Sequence, residues 1–229
     1  MQIGLRILKR RRAVSLDLAQ AFLSVPVANV SDGMARMTAG GPTLRRMHRG
    51  DPMSGPALTV KTRPGDNLMI LKAMALCRPG DVLVVDGGGD LTNALVGEIM
   101  VAEAVKRELG GLVVHGSIRD ASAISKQAMP VFASGVTHRG PYKDGPGEIN
   151  VSIAIDGMVI EPGDLMIGDD DGVLCVPFDS ASDLLRTAHE KKATEARIVS
   201  ELEAGRFDRP WVDATLSRLE CYIEDQAQD

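Results

Sequence analysis

Aromatic residues are scarce in this sequence: they make up 3% of its 229 residues, with a single tryptophan. Methionine is more frequent, with 11 residues, so we expect an aliphatic core in which flexible thioethers fill irregular gaps. No apolar run approaches the length of a membrane span, which argues against a membrane partner. The formal net charge of −5 gives no overall attraction for nucleic acid, so no nucleic-acid partner is expected.

Cysteine and histidine are also sparse. Cys77, Cys175 and Cys221 lie far apart without a C-x-x-C motif, and we interpret them as reduced, buried thiols of a cytoplasmic protein. None of the four histidines has metal-ligand spacing, and His115 is predicted to be a structural hydrogen-bonding residue. The glycines at 87–89 fit neither the dinucleotide pattern G-x-G-x-x-G nor a G-K-[ST] phosphate loop, and no G-x-S-x-G motif supports a serine hydrolase.

The chain length favours a single domain over residues 1–229. We divide it into a core of about residues 30–178, an N-terminal arm of residues 1–29, and a C-terminal helix and tail of residues 179–229. The arm carries a basic cluster from Arg6 to Arg12. A nucleic-acid-binding arm or a targeting signal is possible, but a solvated terminal segment is the more common origin of such a run.

The stretch from Gly80 to Asp120 has the pattern of a strand, a glycine loop, a helix and a second strand. Val82–Val85 predicts a buried strand, and Leu112–Val114 predicts the second, followed by a turn over Gly116–Asp120. A connection of this kind predicts parallel strands. The helix between them is predicted from residues at three- and four-residue spacing, namely Ile99, Ala102, Val105, Lys106 and Leu109.

The start of that helix has two possible positions. Asp90 or Thr92 could cap a helix of about five turns, which would put Glu98 on its buried stripe. Alternatively, Leu91–Val96 forms a separate short turn and the helix begins at Gly97. First-turn backbone N–H groups would then be free to bind an anion. These groups belong to Glu98, Ile99 and Met100.

Ligands collect where parallel strands end and helices begin, which places Glu98, Arg119 and Asp120 around one predicted crevice. The Arg119 guanidinium can hold a carboxylate or a developing oxyanion, and the Asp120 carboxylate can hold a hard divalent cation. From chemistry alone, however, an adjacent Arg-Asp pair at a turn is more often a solvated surface pair.

The sequence resembles the RraA-like superfamily in two linked patterns. The first is G-D-x-x-V-x-D-x-G-G, and the second is an acidic residue, Glu98, followed after twenty intervening positions by Arg119-Asp120. More narrowly, they resemble its class II 4-hydroxy-4-methyl-2-oxoglutarate / 4-carboxy-4-hydroxy-2-oxoadipate aldolases. The resemblance extends from about Val30 to Val176. It implies an α/β fold, the swivelling β/β/α sandwich related to phosphohistidine domains, assembled as a homotrimer or a homohexamer.

The resemblance also implies a chemistry. A divalent metal cation, Mg²⁺ or Mn²⁺, is expected on Asp120, and the expected substrate is a small-molecule 2-oxo acid. Arg119 is expected to stabilise the enolate formed when a carbon–carbon bond breaks, and Glu98 to move protons through water. The reaction would release pyruvate from a 4-hydroxy-2-oxo acid, with oxaloacetate decarboxylation as a side activity. Substrate binding is expected at Arg119 and at the backbone of Gly97, Glu98, Ile99 and Met100.

Several interpretations stay open. Glu98 stands where the resemblance leads us to expect aspartate, which bears on substrate and rate more than on metal binding. Asp32 is either a helix cap or a residue that reaches a neighbouring subunit's site. Glu195 is a C-terminal carboxylate that is also expected to reach a neighbouring subunit's site, and Glu190 and Glu201 are further candidates for this role.

The alternative functions are a non-catalytic RraA-type regulator of ribonuclease activity, or a lyase or hydrolase acting on another dicarboxylate.

Three further segments are ambiguous. Asn67 is interpreted as the N-cap of a helix over Leu68–Leu76. The segment Gly135–Asn150 either lines a crevice or a subunit contact, or is a plain surface connection. Asp169–Gly172 resembles a cation loop but lacks EF-hand spacing, so it is interpreted as a turn between strands, like the hairpin turn predicted at Asp156-Gly157.

Overall fold

A computed structural model describes residues 3–38 and 40–224 of the chain. The strands are β1 (Leu5–Ile7), β2 (Arg45–Arg46), β3 (Met53–Thr62), β4 (Val82–Asp86), β5 (Ala94–Val96), β6 (Gly111–Ile118), β7 (Val131–Val136), β8 (Gly147–Ile149), β9 (Ile153–Ile155), β10 (Met158–Ile160), β11 (Leu165–Asp169) and β12 (Gly172–Val176). The helices are α1 (Leu16–Phe22), α2 (Val27–Gly33), α3 (Leu68–Met74), α4 (Glu98–Lys106), α5 (Ala121–Ile124), α6 (Ala181–Glu203) and α7 (Pro210–Arg218).

The chain separates into two compact units, residues 1–191 and 192–229, with the boundary inside α6. The second unit contains the end of α6 and the short helix α7, which has proline at its first position. The grouping of all 229 residues as one domain stays a prediction. Within the described residues, no helix combines the length and the apolar character needed to cross a membrane.

The central sheet of the first unit is mixed. Its strand order is β1-β8-β3-β4-β6-β7-β2, with β11 joining β3 and β5 joining β6. β4 is parallel to β6, with Val82 opposite Gly111 and Asp86 opposite His115, which confirms the predicted parallel unit. β6 continues to Ile118, so the turn predicted to begin at Gly116 is shorter than expected.

The core lies on both faces of this sheet. Every residue of β4 is buried, and alternate residues point to opposite faces. Leu83 and Val85 pack with helix residues such as Ile70 and Val101. Val82 and Val84 pack on the other face in a cluster that holds the β9–β10 hairpin. Helices therefore cover one face and a hairpin the other, in agreement with the predicted β/β/α layers.

Helix α4 begins at Glu98 with Gly97 at its N-cap, which confirms the second of the two predicted starts. The preceding residues are not a turn, because Ala94–Val96 is strand β5, parallel to β6. Glu98 is exposed, so the alternative that put it on a buried stripe is wrong. The buried face of α4 is formed by Met100, Val101 and Ala104, while Ile99 is 77% exposed.

The N-terminal arm is packed onto the sheet. β1 pairs in parallel with β8, and the Leu8 N–H donates to the Ile149 carbonyl at 3.0 Å. Arg10 Nη1 lies 2.7 Å from Oδ1 of the buried Asp81. The interpretation of Arg6–Arg12 as a solvated terminal segment is therefore wrong, because this segment is an edge strand and its extension.

The cysteines are free, but only part of the prediction for them is confirmed. Cys77 is half-buried and Cys175 is buried, whereas Cys221 is exposed, so its predicted burial is wrong. Burial raises the pKa of the Cys77 thiol to about 12, and the same cause raises the pKa of Cys175. These two thiols are therefore protonated and poorly reactive at neutral pH.

Candidate functional site

Arg119 and Asp120 follow β6 directly, where the ends of β5 and β6 lie side by side. The Arg119 N–H donates to the Val96 carbonyl at 2.9 Å, which ties the turn to the end of β5. Asp120 has a left-handed backbone, with φ 58°, and precedes α5. The two side chains are 43% and 37% exposed, so both can reach a ligand.

The Asp120 carboxylate is held against the start of α4. Its Oδ2 accepts a hydrogen bond from the Glu98 N–H at 3.1 Å and lies 3.6 Å from Arg119 Nε. Glycine at position 97 permits this approach, because a Cβ there would lie 2.7 Å from Oδ2 and 3.0 Å from Arg119 Nε. Oδ1 of Asp120 accepts no hydrogen bond from residues 3–38 or 40–224, so this oxygen is available to a ligand.

A cavity of about 330 Å³ opens beside this pair. Its volume is within the range of small-molecule pockets, roughly 300–1,000 Å³. The structure brings most of the predicted site residues to it. The lining includes Gly97, Ile99, Met100, Arg119 and Asp120, whereas the predicted catalytic residue Glu98 is not part of it.

The first turn of α4 offers fewer free donors than predicted. The Glu98 N–H is used by Asp120, and the Met100 N–H donates to the Gly97 carbonyl at 3.1 Å. Of the three predicted donors, the backbone N–H of Ile99 forms no hydrogen bond in the described part of the chain. The Glu98 side chain is exposed and forms no ion pair or hydrogen bond within that same part.

Asn67 was missed as a site residue. It occupies the N-cap position of α3, but its side chain does not cap the helix. Asp66 does so instead, because its Oδ1 accepts from the Leu68 N–H at 2.9 Å. Asn67 is 4% exposed and lines the cavity, its Nδ2 donates to the Leu95 carbonyl at 3.1 Å, and its buried Oδ1 has no partner among the described residues.

The segment Gly135–Asn150 lines the cavity, which confirms the first interpretation of this loop. Oδ2 of Asp66 accepts the N–H groups of Asp144 and Gly145 at 2.7 and 2.9 Å and thereby anchors the loop beside α3. Gly140, Pro141 and Lys143 then form part of the cavity wall. Lys143 adds a second exposed cation to the site, a role that no local sequence signal indicated.

Two predicted site residues belong to other parts of the structure. Asp32 lies in the last turn of α2 and not at a helix start, so its interpretation as a cap is wrong. Hydrogen bonds from Arg36 at 2.7 Å and Lys191 at 2.8 Å lower its pKa to about 2. Glu195 is an exposed residue of α6 in the second unit. Their roles at a neighbouring subunit's site stay predictions.

The glycine loop after β4 packs on His115. The N–H groups of Gly87 and Gly89 donate to the His115 carbonyl at 3.0 and 3.2 Å. His115 Nδ1 lies 3.3 Å from Asp86 Oδ1, and a Cβ on Gly89 would lie 2.9 Å from His115 Nε2. The glycines therefore allow this loop to lie close against His115. The structural role predicted for His115 is confirmed.

The acidic loop at Asp169–Gly172 is a turn, as predicted. β11 and β12 pair across it, with Asp169 opposite Gly172. The Asp169 carboxylate accepts the N–H groups of Val27 and Asp171 at 2.9 and 3.0 Å. In the described ranges, no three side chains of His, Cys, Asp or Glu are grouped to hold a metal ion by themselves.

Residues 27–175 match the model of the RraA-like family, described as Aldolase/RraA. The chain belongs to this family. A protein of Halalkalibacterium halodurans named "Putative 4-hydroxy-4-methyl-2-oxoglutarate aldolase" is 38% identical to it over 180 residues, which are 79% of this chain and 86% of that protein.

Solved structures show the same fold. An uncharacterized protein from Pseudomonas syringae superposes with a TM-score of 0.75 and 24% identity, over 84% of this chain and 95% of that one. The RNA-processing inhibitor RraA from Thermus thermophilis superposes with a TM-score of 0.62 and 28% identity, over 66% of this chain and 92% of that one. The fold is the RraA-like α/β fold, as the sequence predicts.

Proposed function

We propose that this member of the RraA-like family is a metal-dependent retro-aldol lyase that releases pyruvate from a 4-hydroxy-2-oxo di- or tricarboxylic acid. The observation that carries the proposal is the Asp120 carboxylate beside Arg119 at the cavity, with Oδ2 held by the Glu98 N–H and Oδ1 available. The aldolase name of the Halalkalibacterium halodurans relative supports the same class of reaction.

The residues present fit a divalent cation, Mg²⁺ or Mn²⁺. Mg²⁺ is usually bound by one or two carboxylates, with water and substrate oxygens in the other positions, so a large protein cluster is not required. Asp120 offers a hard carboxylate oxygen at an open cavity. A cation bound there would supply Lewis acidity to a 2-oxo acid.

Arg119 is placed to bind negative charge. Its guanidinium lies beside Gly140, where a Cβ would be 3.3 Å from Nη1, and its N–H groups can form charge-assisted hydrogen bonds to a carboxylate or an enolate oxygen. Such a donor lowers the barrier because the enolate charge develops only as the carbon–carbon bond breaks. Lys143 and the Ile99 N–H are available for the remaining carboxylates of the substrate.

Glu98 is the residue we assign to proton transfer. In the retro-aldol direction, the proton of the 4-hydroxyl leaves through water to Glu98 as the C3–C4 bond breaks. The electron pair of that bond forms the enolate of pyruvate, and a proton returns to C3 to give pyruvate. Oxaloacetate would lose CO₂ to give the same enolate. In the proposed homotrimer or homohexamer, Asp32 and Glu195 complete a neighbour's site.

A regulator of RNA processing is the second candidate, favoured by the structural likeness to the RraA inhibitor from Thermus thermophilis. This function would need neither the cation nor the pyruvate-releasing activity.

The deciding experiment measures pyruvate release from oxaloacetate and from 4-hydroxy-4-methyl-2-oxoglutarate with a coupled dehydrogenase, with Mg²⁺ or Mn²⁺ and with EDTA. The background of metal alone is subtracted. We expect metal-dependent turnover that Asp120→Ala abolishes and that Asp144→Ala, a change at an exposed carboxylate of the cavity loop, leaves intact. Turnover of the wild type no higher than that of Asp120→Ala on both compounds would favour the regulator.

A further inference from the structure

We propose that the N-terminal arm forms a second binding site, for a phosphorylated, hydroxyl-bearing small molecule of nucleotide size. The site is a cavity of about 600 Å³ between the arm and the segments around residues 150–152 and 161–162. It shares no lining residue with the Asp120 cavity. Its charged lining residues are Arg6, Lys9, Arg11 and Arg12 and a single carboxylate, Glu161.

The cations of this cavity fall into two groups. Arg6 pairs with Glu148, and Arg12 Nη1 lies 2.9 Å from Asp179 Oδ2 while its guanidinium stacks over Phe178 at 4.9 Å. Lys9 and Arg11 are exposed and have no ion pair with any described residue. These two side chains therefore keep their full charge available to an anionic ligand.

The backbone that carries Lys9 and Arg11 is fixed on both sides. β1 and Leu8 are hydrogen-bonded to β8 and its carboxyl end, and the Val14 N–H donates to the Gly163 carbonyl at 3.0 Å. Between them, the Arg10 side chain pairs with Asp81 away from the cavity. Because this backbone is already ordered, binding of an anion should cost less conformational entropy here than it would in a solvated terminal segment.

The remaining lining indicates what the ligand carries besides phosphate. Leu8, Val151 and Pro162 give the cavity an apolar wall. Glu161 is an acceptor for hydroxyl or amino groups and disfavours a ligand that is anionic throughout. Asn150 Nδ2 donates to the Leu8 carbonyl at 2.9 Å, which ties this wall of the cavity to the arm.

Nucleic acid is a poorer match to these features. Single-stranded nucleic acid is usually bound on aromatic side chains in a basic groove, and the cavity lining contains no aromatic residue. The net charge of −5 also opposes a long polyanion. The arm residues of this cavity precede residue 27, where the match to the family model begins, whereas its residues at 150–152 and 161–162 lie inside that match.

The test is calorimetric titration with ADP, with pyrophosphate and with a short single-stranded RNA, at about 0.15 M salt and with EDTA. We expect ADP to bind at one site per chain, more tightly than pyrophosphate. The double variant Lys9→Ala/Arg11→Ala should weaken ADP binding at least about tenfold, since two charge-assisted contacts are lost. Its thermal unfolding without ligand should be unchanged, because both side chains are exposed and unpaired within the described residues.

Two control variants test whether ADP binds at the arm cavity and not at other surface cations or at the Asp120 cavity. Arg78→Ala/Lys126→Ala removes two exposed cations elsewhere, and Arg119→Ala removes one of the two cations, Arg119 and Lys143, that line the Asp120 cavity. Both variants should leave ADP affinity unchanged. The proposal is overturned if ADP does not bind at concentrations up to about 1 mM. It is also overturned if Arg119→Ala abolishes binding, if Lys9→Ala/Arg11→Ala binds ADP as well as the wild type, or if only RNA binds. None of these results depends on the lyase activity.

Discussion

Gly97 and Asp120 are in such close contact that a Cβ on residue 97 would lie 2.7 Å from the Asp120 carboxylate. The backbone of Gly97 is extended, with φ −137°, so alanine is compatible with its conformation and would act through this contact alone. We expect Gly97→Ala to displace the Asp120 and Arg119 side chains and to lower kcat for pyruvate release about 100-fold, as misplacements of about 1 Å do.

Gly41→Ala is the matched control, because a Cβ there would meet nothing within 4 Å. Thermal unfolding of both variants separates local displacement from loss of the fold. If Gly97→Ala releases pyruvate as fast as Gly41→Ala, the carboxylate at residue 120 does not have to be held at this position for catalysis.

Glu98→Gln tests the residue assigned to proton transfer. The Glu98 side chain is exposed and forms no hydrogen bond or ion pair with the described residues, so unfolding should change by no more than the small helix-dipole contribution of a first-turn carboxylate. The loss of a general acid–base group should lower kcat by about 10²-fold or more. Glu103→Gln, on the same helix and paired with Arg107 at 2.8 Å, should keep its activity. A Glu98→Gln enzyme with wild-type kcat would remove this residue from the mechanism.

The parts of the fold with local signals could be predicted from the sequence. The apolar run Val82–Val85 predicts β4 from adjacent residues alone. The turn at Asp156-Gly157 also has a local signal, and both of its residues have positive φ, 49° and 82°. The arm could not be predicted, because its pairing partner β8 lies far along the chain. A run of basic residues looks the same in a solvated tail and in an edge strand.

The residues of the candidate site could likewise be predicted only where they form a local sequence motif. Arg119 and Asp120 stand out through a spaced motif, but Asn67 resembles any polar helix cap in sequence. Its burial beneath the cavity depends on Leu95, whose carbonyl accepts its Nδ2 at 3.1 Å. Lys143 reaches the cavity only because Asp66 anchors its loop, a contact between distant segments.

Gly89→Ala tests the contact between the glycine loop and His115. Gly89 has φ +70°, and a Cβ would lie 2.9 Å from His115 Nε2. We expect a loss of about 1–3 kcal/mol in the free energy of unfolding, measured with urea, from left-handed strain together with the clash.

The double variant Gly89→Ala/His115→Ala separates the two causes. Removing the imidazole relieves the clash and leaves the backbone strain, so the effect of Gly89→Ala should be smaller in the His115→Ala background. Equal effects in both backgrounds would mean that backbone strain alone requires glycine at this position.

Asp66 should make stability depend on pH in the acid range. Burial raises the pKa of this carboxyl, but hydrogen bonds from the N–H groups of Leu68, Asp144 and Gly145, together with the charge of Arg63, lower the pKa on balance. Its folded-state pKa therefore lies below the unfolded value of about 3.9. Asp66 stabilises the fold above about pH 4, and this stabilisation is lost as the pH falls through the folded-state pKa.

Asp66→Asn removes the charge while keeping the size of the side chain. We expect its unfolding temperature to lie well below that of the wild type at pH 7. The difference should shrink as the pH falls from about 4 through the lower folded-state pKa of Asp66, because the stabilisation from its charge is lost over this range. Other carboxylates, Asp86 among them, titrate in both proteins and cancel in the difference. Asp144→Asn, at an exposed side chain of the same loop, should show a small difference at every pH. A large difference for Asp66→Asn that stays constant from pH 7 to pH 3 would mean that the geometry of the acceptor, and not its charge, anchors the cavity loop.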